Sequence, residues 1–519
     1  MSNFNRREFM GQMAAGAMAL TLTDAVPGMA TPSTGGKRPN ILYVMSDQHR
    51  ASSLGCYGDP TVRTPHFDAF ALQGARFATA TSCTPVCCPH RASLMTGQFS
   101  HHHGVLSNSM HLHPSAPCLG ETFRRAGYDT GYFGKWHIFC QSLGDLQLGF
   151  PVREFKKQDE DEEGAAVRGG KSKGHYITVT QKDAKGHNVE KEVYKPTFLV
   201  DEAIRFLREH RGRTAPWMLV VSWVPPHTPY ASPPQFRAHY QGRLKIPSNV
   251  PAGAAEEFTR SVLPDYYGMI ESLDTEFGRL LAALDETGAA DDTIVCYSAD
   301  HGDMLGSHAC KFKRWPYDAS VRVPFLIRYP RAIASGQVVS VPFNTPDIYP
   351  TLAGLAGVKA PSKLDGLDYA PLLTGRNSHA PRDHSYLSMS YGYVQWPGWR
   401  AVRTEQYAFA CTKKGPWFLY DMQKDPLEAA NLVAERSSKA LVEEMSRQLA
   451  AAMEQSGDHW GVKTNGGDIQ KFASADTKKL REQNLGVQLP DGGQLPAASP
   501  ETKNHRRKKH DRRSADAST

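Results

Sequence analysis

The sequence predicts an α/β fold: a large mixed, mostly parallel sheet flanked by helices on both faces, followed by a smaller C-terminal α+β unit with a short antiparallel sheet. Three observations carry that expectation. Short apolar runs of strand character alternate with stretches of helical periodicity over most of the chain. Several of those runs end in a charged or polar residue, and the C-terminal ends of buried strands are where α/β sheets place their sites. Beyond Ser390 the pattern changes to closely spaced aromatic segments of the kind that pair antiparallel.

The elements follow in chain order. Residues 1–30 hold Asn5-Arg6-Arg7-Glu8-Phe9-Met10, a mildly apolar run from Met13 to Leu22 and the small-residue stretch Val26-Pro27-Gly28-Met29-Ala30. A twin arginine before a short, weak apolar segment resembles a twin-arginine export signal. The expected partner is then the twin-arginine translocase, and the expected location is periplasmic or secreted. The run is too short to span a bilayer. A main domain is expected over 38–389. It opens with the strand Asn40–Met45, which ends at Ser46-Asp47-Gln48, and helices are predicted at Phe67–Gly74 and Leu119–Ala126. Gly131-Tyr132-Phe133 reads as a strand. The polar stretch 156–195 reads as a surface insertion with a hairpin around Tyr176-Ile177-Thr178-Val179. Further strands are predicted at Met218–Trp223 and Thr293–Tyr297, with a helix between them over Tyr266–Thr287. The C-terminal unit, 390–457, is expected to hold strands Trp399–Thr404 and Trp417–Tyr420 and a helix over Ser437–Gln455. From 458 to 519 the chain is polar and basic and reads as a disordered tail.

With 519 residues, 40% hydrophobic and 22% charged, the chain can bury a large core beside a second unit. Its formal charge of +7 is not spread evenly. Glu501–Thr519 holds seven lysines and arginines against three acids, which leaves the rest nearly balanced and argues against nucleic-acid binding. The nine cysteines are an odd number with no CxxC pair, so no disulfide framework is expected.

The stretch with the most chemistry is Pro85-Val86-Cys87-Cys88-Pro89-His90-Arg91-Ala92-Ser93-Leu94-Met95-Thr96-Gly97. Pro89 suits the first turn of a helix, which puts Cys87 near the N-terminus, where unpaired amides and the helix dipole favour negative charge. Arg91 adds a fixed positive charge one turn on. Elsewhere, Asp47-Gln48 and Ala299-Asp300-His301-Gly302-Asp303 follow predicted strands, and oxygen-rich ligands from two strand ends suit a hard cation, with His301 adding a nitrogen. Lys135 and His137, in Gly134-Lys135-Trp136-His137, and His227, in Pro225-Pro226-His227-Thr228-Pro229-Tyr230, also follow strands. Together with Lys313 they can hold a tetrahedral oxyanion by charge-assisted hydrogen bonds. His111, His113 and the insertion are candidates for the pocket mouth. Consecutive residues cannot easily share one ion, so His101-His102-His103 reads as local structure.

Cys87-x-Pro89-x-Arg91 followed by Thr96-Gly97 resembles the signature of the type I sulfatases of the alkaline phosphatase superfamily, and Gly127-Tyr128-Asp129-Thr130-Gly131-Tyr132-Phe133-Gly134-Lys135-Trp136-His137 resembles their second signature. Thr64-Pro65-His66-Phe67-Asp68, Leu419-Tyr420-Asp421, Asp425-Pro426 and Asn431-Leu432 extend the likeness from Pro39 to about Leu432. The resemblance implies hydrolysis of a small-molecule or oligosaccharide sulfate ester. It implies that a formylglycine-generating enzyme converts Cys87, not Cys88, to 3-oxoalanine, whose hydrate supplies the nucleophilic oxygen. Arg91 then supports that residue. Asp47, Gln48, Asp300 and His301 match the ligands of a divalent cation, usually calcium, that also meets residue 87. Lys135, His137, His227 and Lys313 match the residues that grip sulfate and assist the leaving oxygen, with His227 the general acid and Lys313 the alternative. Asn108 matches a substrate-contacting asparagine. Two positions depart from the usual pattern. His90 stands where Ser is more frequent, and Asp47-Gln48 with Asp300-His301 resembles the choline-sulfatase and phosphonate monoester hydrolase branches. One carboxylate fewer and one imidazole more shift the expectation toward manganese, with magnesium a further alternative to calcium.

Overall fold

In the computed structural model the described residues are 37–108, 110–113, 115–139, 150–153, 172–182, 187–390 and 398–459. The twin-arginine leader, residues 460–519 of the predicted tail and residues 156–171 and 183–186 of the insertion lie outside them; Asp458, expected at the start of the tail, is buried and paired with Arg400. Among the described residues no helix is long and apolar enough to cross a membrane.

The central sheet has eight strands: β1 (Asn40–Asp47), β2 (Ala75–Phe77), β3 (Asp129–Gly134), β4 (Val152–Arg153), β7 (Trp217–Pro226), β8 (Thr293–Ala299), β9 (Phe325–Arg328) and β10 (Gln337–Val339). A separate hairpin, β5 (Tyr176–Lys182) with β6 (Asn188–Tyr194), precedes β7. The order is β10-β2-β9-β8-β1-β7-β3-β4, and every neighbouring pair is parallel except the two that β9 makes. This is the mixed, mostly parallel sheet the sequence predicts.

Why the central strands read as unbroken apolar runs is visible in where alternate residues go. Ile41, Tyr43 and Met45 of β1 join one core cluster, while Leu42 and Val44 join another on the opposite face. A sheet buried on both faces needs apolar residues at every position. The helices of seven residues or more are α1 (Pro65–Leu72), α2 (Cys87–Thr96), α3 (Leu119–Arg125), α4 (Lys195–Glu209), α5 (Ala254–Thr287), α6 (Ile348–Ala356) and α7 (Lys439–Gln455). Residues of α2, α3 and α6 pack on the first face, and residues of α1, α4 and α5 on the second. Helix α5 starts twelve residues before the predicted Tyr266. Its first part carries Glu256, Glu257 and Pro264, which weaken the apolar periodicity without breaking the helix.

The C-terminal sheet runs β11 (His384–Met389), β12 (Trp399–Thr404), β13 (Tyr407–Thr412) and β14 (Gly415–Asp421), all antiparallel neighbours. It therefore starts before Ser390, where the sequence predicts the second unit to begin. The interleaved Ser385 and Ser388 hide β11 as a strand, although both are buried. The described residues from Arg38 onward form one compact unit. One face of this sheet packs on α7 through Tyr386, Val402, Phe409 and Leu419. The other packs on Val86, Trp315 and Tyr317, next to Cys87 and Lys313.

Candidate active site

Four parallel strands end together, and the chain turns the site out of their ends. Ser46 in β1 is level with Ala299 in β8, Asp47 is level with Pro226 in β7, and Gly134 in β3 is level with Ser222 in β7. Asp47, Lys135, His227 and Asp300 are thus delivered to one edge by register alone. Gly134 is needed for this. It has a φ of 106°, and a Cβ there would lie 2.0 Å from the Ser222 carbonyl oxygen. The close approach lets Lys135 N–H donate to that oxygen at 3.0 Å.

Helix α2 brings Cys87 to the same edge at its first position. Val86 before it is extended, and Gly97 ends the helix in the left-handed conformation with its N–H on Ser93 O. All ten residues of α2 are buried. Asn108 sits beside this helix start. Its Oδ1 accepts from the Cys88 N–H at 3.1 Å, satisfying one of the unpaired amides of the first turn.

Arg91, fully buried one turn on, ties the edge together. Its Nη2 donates to Asp47 Oδ2 at 2.9 Å and to Asp300 Oδ2 at 3.1 Å, and its Nε donates to Asp300 Oδ2 at 3.2 Å. Its Nη1 donates to Lys135 O at 2.7 Å and to Ser222 Oγ at 2.8 Å. Ser222, which the sequence reading did not single out, also donates to Lys135 O at 2.8 Å. It is a polar residue inside an apolar strand, and that was the available signal.

Around Cys87 the other predicted residues converge. Cys87 Sγ is 3.1 Å from Lys313 Nζ, 3.2 Å from His301 Nε2 and 3.7 Å from Asp47 Oδ1. Lys135 Nζ pairs with Asp47 Oδ2 at 2.8 Å. Lys313 Nζ also donates to His227 Nε2 at 3.0 Å and to Gln48 Oε1 at 3.2 Å. His227 Nδ1 donates to Thr228 O at 3.0 Å, which leaves Nε2 as the acceptor facing Lys313. His301 Nδ1 donates to Gly302 O at 2.9 Å, and its Nε2 faces Cys87. His137, half-buried in left-handed backbone conformation, has its ring 6.3 Å from that of Phe139. His111 forms a β-bridge with Phe139, and His113 Nδ1 lies 2.9 Å from Ser115 Oγ. Of the histidine run, His102 pairs with Asp365 and His101 meets the Ser456 carbonyl, both distant in sequence, so the run makes tertiary contacts rather than the local structure the sequence suggested.

The electrostatics follow from who faces whom. Burial pushes the Asp47 carboxyl up, but Lys135, His227, Arg91 and Lys313 outweigh it and hold Asp47 well below the usual range. Asp300, left beside the Asp47 charge, is pushed up by burial and that charge to about 6. Burial and Asp47 raise the Cys87 thiol, yet Lys135, Lys313 and His301 together bring it well below its ordinary value. Burial alone would lower Lys313, but the Cys87 and Asp47 charges raise it and keep it protonated.

Asp47, Cys87, Asp300 and His301 each offer one ligand atom, and these atoms lie within 4.8 Å of one another. Two carboxylates, an imidazole lone pair and a sulfur position, all buried, fit a divalent cation, which would remove the conflict between the two neighbouring carboxylates.

A family model described as sulfatase matches residues 39–358, and one described as N-sulphoglucosamine sulphohydrolase, C-terminal, matches residues 306–455. An ulvan-active sulfatase from Formosa agariphila is 33% identical over 430 residues, covering 82% of each chain. The chain belongs to the sulfatase family. As a sulfatase it is a sulfuric ester hydrolase. It is also similar to an N-acetylglucosamine-6-O-sulfatase from Bacteroides thetaiotaomicron, 26% identical with 82% of this chain and 88% of the other covered. Among solved structures, one in complex with its substrate D-glucosamine-2-N,6-O-disulfate superposes with a TM-score of 0.70 at 24% identity, covering 82% of this chain and 99% of that one. The phosphonate monoester hydrolase of Agrobacterium radiobacter has the same fold, with a TM-score of 0.68 at 24% identity over 81% of this sulfatase and 96% of its own chain.

Arg91→Lys keeps the charge but cannot reach Asp47, Asp300 and Lys135 O at once. The expected result is a loss of about 2–4 kcal/mol in unfolding free energy together with loss of sulfatase turnover, read by denaturant titration and sulfate release.

Proposed function

We propose that this sulfatase hydrolyses sulfate esters of carbohydrates, using an oxygen nucleophile made from Cys87 and a divalent cation held by Asp47, Gln48, Asp300, His301 and residue 87. The carbohydrate part is supported by the relatives' substrates. The chemical part is supported by one observation, the convergence of Lys313, His301 and Asp47 on Cys87 Sγ. In that reading Cys87 Sγ marks the place of the nucleophilic oxygen, which a formylglycine-generating enzyme installs by oxidising the cysteine. The hydrated aldehyde supplies two hydroxyls, one to attack sulfur and one whose proton loss later expels sulfate. The cation supplies charge that polarises the sulfate and favours the ionised hydroxyl; the Asp-Gln and Asp-His pairs suit calcium, manganese or magnesium.

The chain's own residues do the rest. Lys313 and Lys135, both next to the Asp47–Cys87 position, neutralise charge on the transferring group. His137, two residues after Lys135, and Asn108, which holds the Cys88 amide, are read as substrate-gripping positions. The 3.0 Å Lys313–His227 pair holds a proton where the leaving alcohol oxygen must take one up; passed from Lys313 Nζ to His227 Nε2, it makes His227 the general acid and Lys313 its partner. Arg91 keeps the two carboxylates and the Lys135 backbone in place while substrate binds and leaves. The N-terminal twin arginine supports export of the folded, cation-loaded protein to the periplasm or beyond.

Mass spectrometry of the Cys87 peptide from active protein is expected to show the aldehyde in place of the thiol, and Cys87→Ala is expected to lose at least about a thousandfold in turnover with its unfolding midpoint unchanged. Fully active protein with an unmodified thiol would refute the mechanism. In a panel of sulfated mono- and oligosaccharides beside choline sulfate, read by sulfate release, a sugar sulfate is expected to give the highest kcat/KM; choline sulfate at the top would refute the carbohydrate reading.

A further inference from the structure

His227, read above as the general acid, sits on a loop with little means of holding itself. In Pro225-Pro226-His227-Thr228-Pro229-Tyr230 three prolines lack a backbone N–H, so the loop has few donors for its own carbonyls. The His227 N–H closes a turn onto Val224 O at 3.1 Å. The ring is aimed by the loop itself: Nδ1 donates to Thr228 O at 3.0 Å, and Nε2 then faces Lys313 Nζ at 3.0 Å. The acid is therefore only as well placed as the Thr228 carbonyl.

A donor from outside the loop holds the residues on either side of Thr228. His175 precedes β5 at the base of the insertion hairpin and is 2% exposed. Its Nε2 lies 3.0 Å from His227 O and 2.8 Å from Pro229 O. Carbonyls only accept, so Nε2 carries the ring proton and donates to both. Its Nδ1 is buried without a hydrogen-bond partner among the described residues, and burial pushes the imidazole down to about 4. The ring is thus neutral, with its single proton shared between two carbonyls of the catalytic loop.

The hairpin base is itself anchored. Lys195, at the start of α4, donates its N–H to His175 O at 2.8 Å and its Nζ to Gly174 O at 2.6 Å. Ile177 joins the apolar cluster that contains Trp223 of β7, and the rings of Tyr176 and Tyr194 meet at 5.3 Å. Farther out, Asn188–Glu192 are exposed, so the buried base is the part that bears on the loop.

We propose that His175 is a positioning residue for the general acid: its Nε2–H fixes the His227 and Pro229 carbonyls, and with them the Thr228 carbonyl that aims the His227 ring at the leaving oxygen. The inference rests on the reading of His227 as the acid. The side-chain hydrogen bonds of His175 go to this loop and to none of the proposed cation ligands, so removing its donor acts on proton donation and leaves the cation in place.

Leaving groups separate proton donation from the rest of the site. A 4-nitrophenolate departs without a proton, whereas a 4-methylphenolate, the stronger base, gains from receiving one. The test measures kcat/KM for both phenyl sulfates, with thermal unfolding and bound cation content, on full-length protein with residue 87 converted. His175→Leu is expected to lower kcat/KM at least about 30-fold for the 4-methylphenyl ester and less than about threefold for the 4-nitrophenyl ester, with wild-type cation content. His175→Asn, whose shorter amide stops short of both carbonyls, is expected to do the same and carries the reading should the apolar replacement fail to fold. His175→Gln, whose amide nitrogen reaches the place of Nε2, is expected to stay within about threefold of wild type on both esters.

A side chain that merely braced the hairpin would lower both esters alike, and equal losses overturn the proposal. So do wild-type turnover in His175→Asn, a His175→Gln variant no better than His175→Asn, or loss of the cation. His227→Ala separates the premises. Equal losses on both esters there overturn the role of His227 as acid, and the positioning inference with it. A loss confined to the 4-methylphenyl ester in His227→Ala, beside equal losses in His175→Asn, overturns only the positioning.

Discussion

Two carboxylates, Asp47 and Asp300, are buried side by side at the ends of adjacent parallel strands, and the rest of the structure is arranged to make that tolerable. An isolated buried carboxylate is costly, and two neighbouring ones repel. Arg91 bonds both, Lys135 bonds one, and the Arg91 guanidinium is in turn oriented by the Lys135 carbonyl and Ser222. Because each partner comes from a different element, the site exists only when β1, β3, β7, β8 and α2 are all in register. The function is therefore coupled to the folding of the central sheet rather than grafted on one loop.

The C-terminal sheet contributes to the site indirectly. Leu305, His308, Ala309, Phe312 and Arg314 all take positive φ, an unusual density for residues with side chains, in the segment that ends around Lys313. The sheet holds that segment. Trp399 donates its indole N–H to the Arg314 carbonyl at 2.9 Å, Arg403 pairs with Asp318, and both oxygens of Glu428 accept from the Asp318 N–H. Glu428 sits fully buried beside Asp318, and burial pushes its carboxyl well above the usual range. The second unit thus holds the residues on either side of Lys313, Phe312 and Arg314, in a backbone conformation they would not choose.

Much of this was legible in the sequence, for physical reasons. Strands buried on both faces leave unbroken apolar runs, so β1, β7 and β8 stand out, and their ends point to Asp47, His227 and Asp300. The Cys87 packet announces a helix start, and Thr96-Gly97 its end. What stayed hidden depends on partners distant in sequence. Nothing local reveals that Arg91 bonds two strand ends, that Asn108 satisfies the Cys88 amide, or that His175, at the base of the insertion hairpin, meets the His227 and Pro229 carbonyls with its Nε2. Strand β11 was missed because its buried serines imitate a loop, and the front of α5 because its acidic residues and Pro264 interrupt the apolar stripe.

The central claim is that this edge of the sheet is built to transfer a sulfuryl group, on a fold it shares with hydrolases of phosphorus esters. The measurement that tests it most directly is kcat/KM for the sulfate, phosphodiester and phosphonate esters of one phenol, on protein with residue 87 converted and cation supplied. Two lysines and a histidine around residue 87 predict that the sulfate ester is turned over most efficiently. A clear preference for either phosphorus ester would contradict the account.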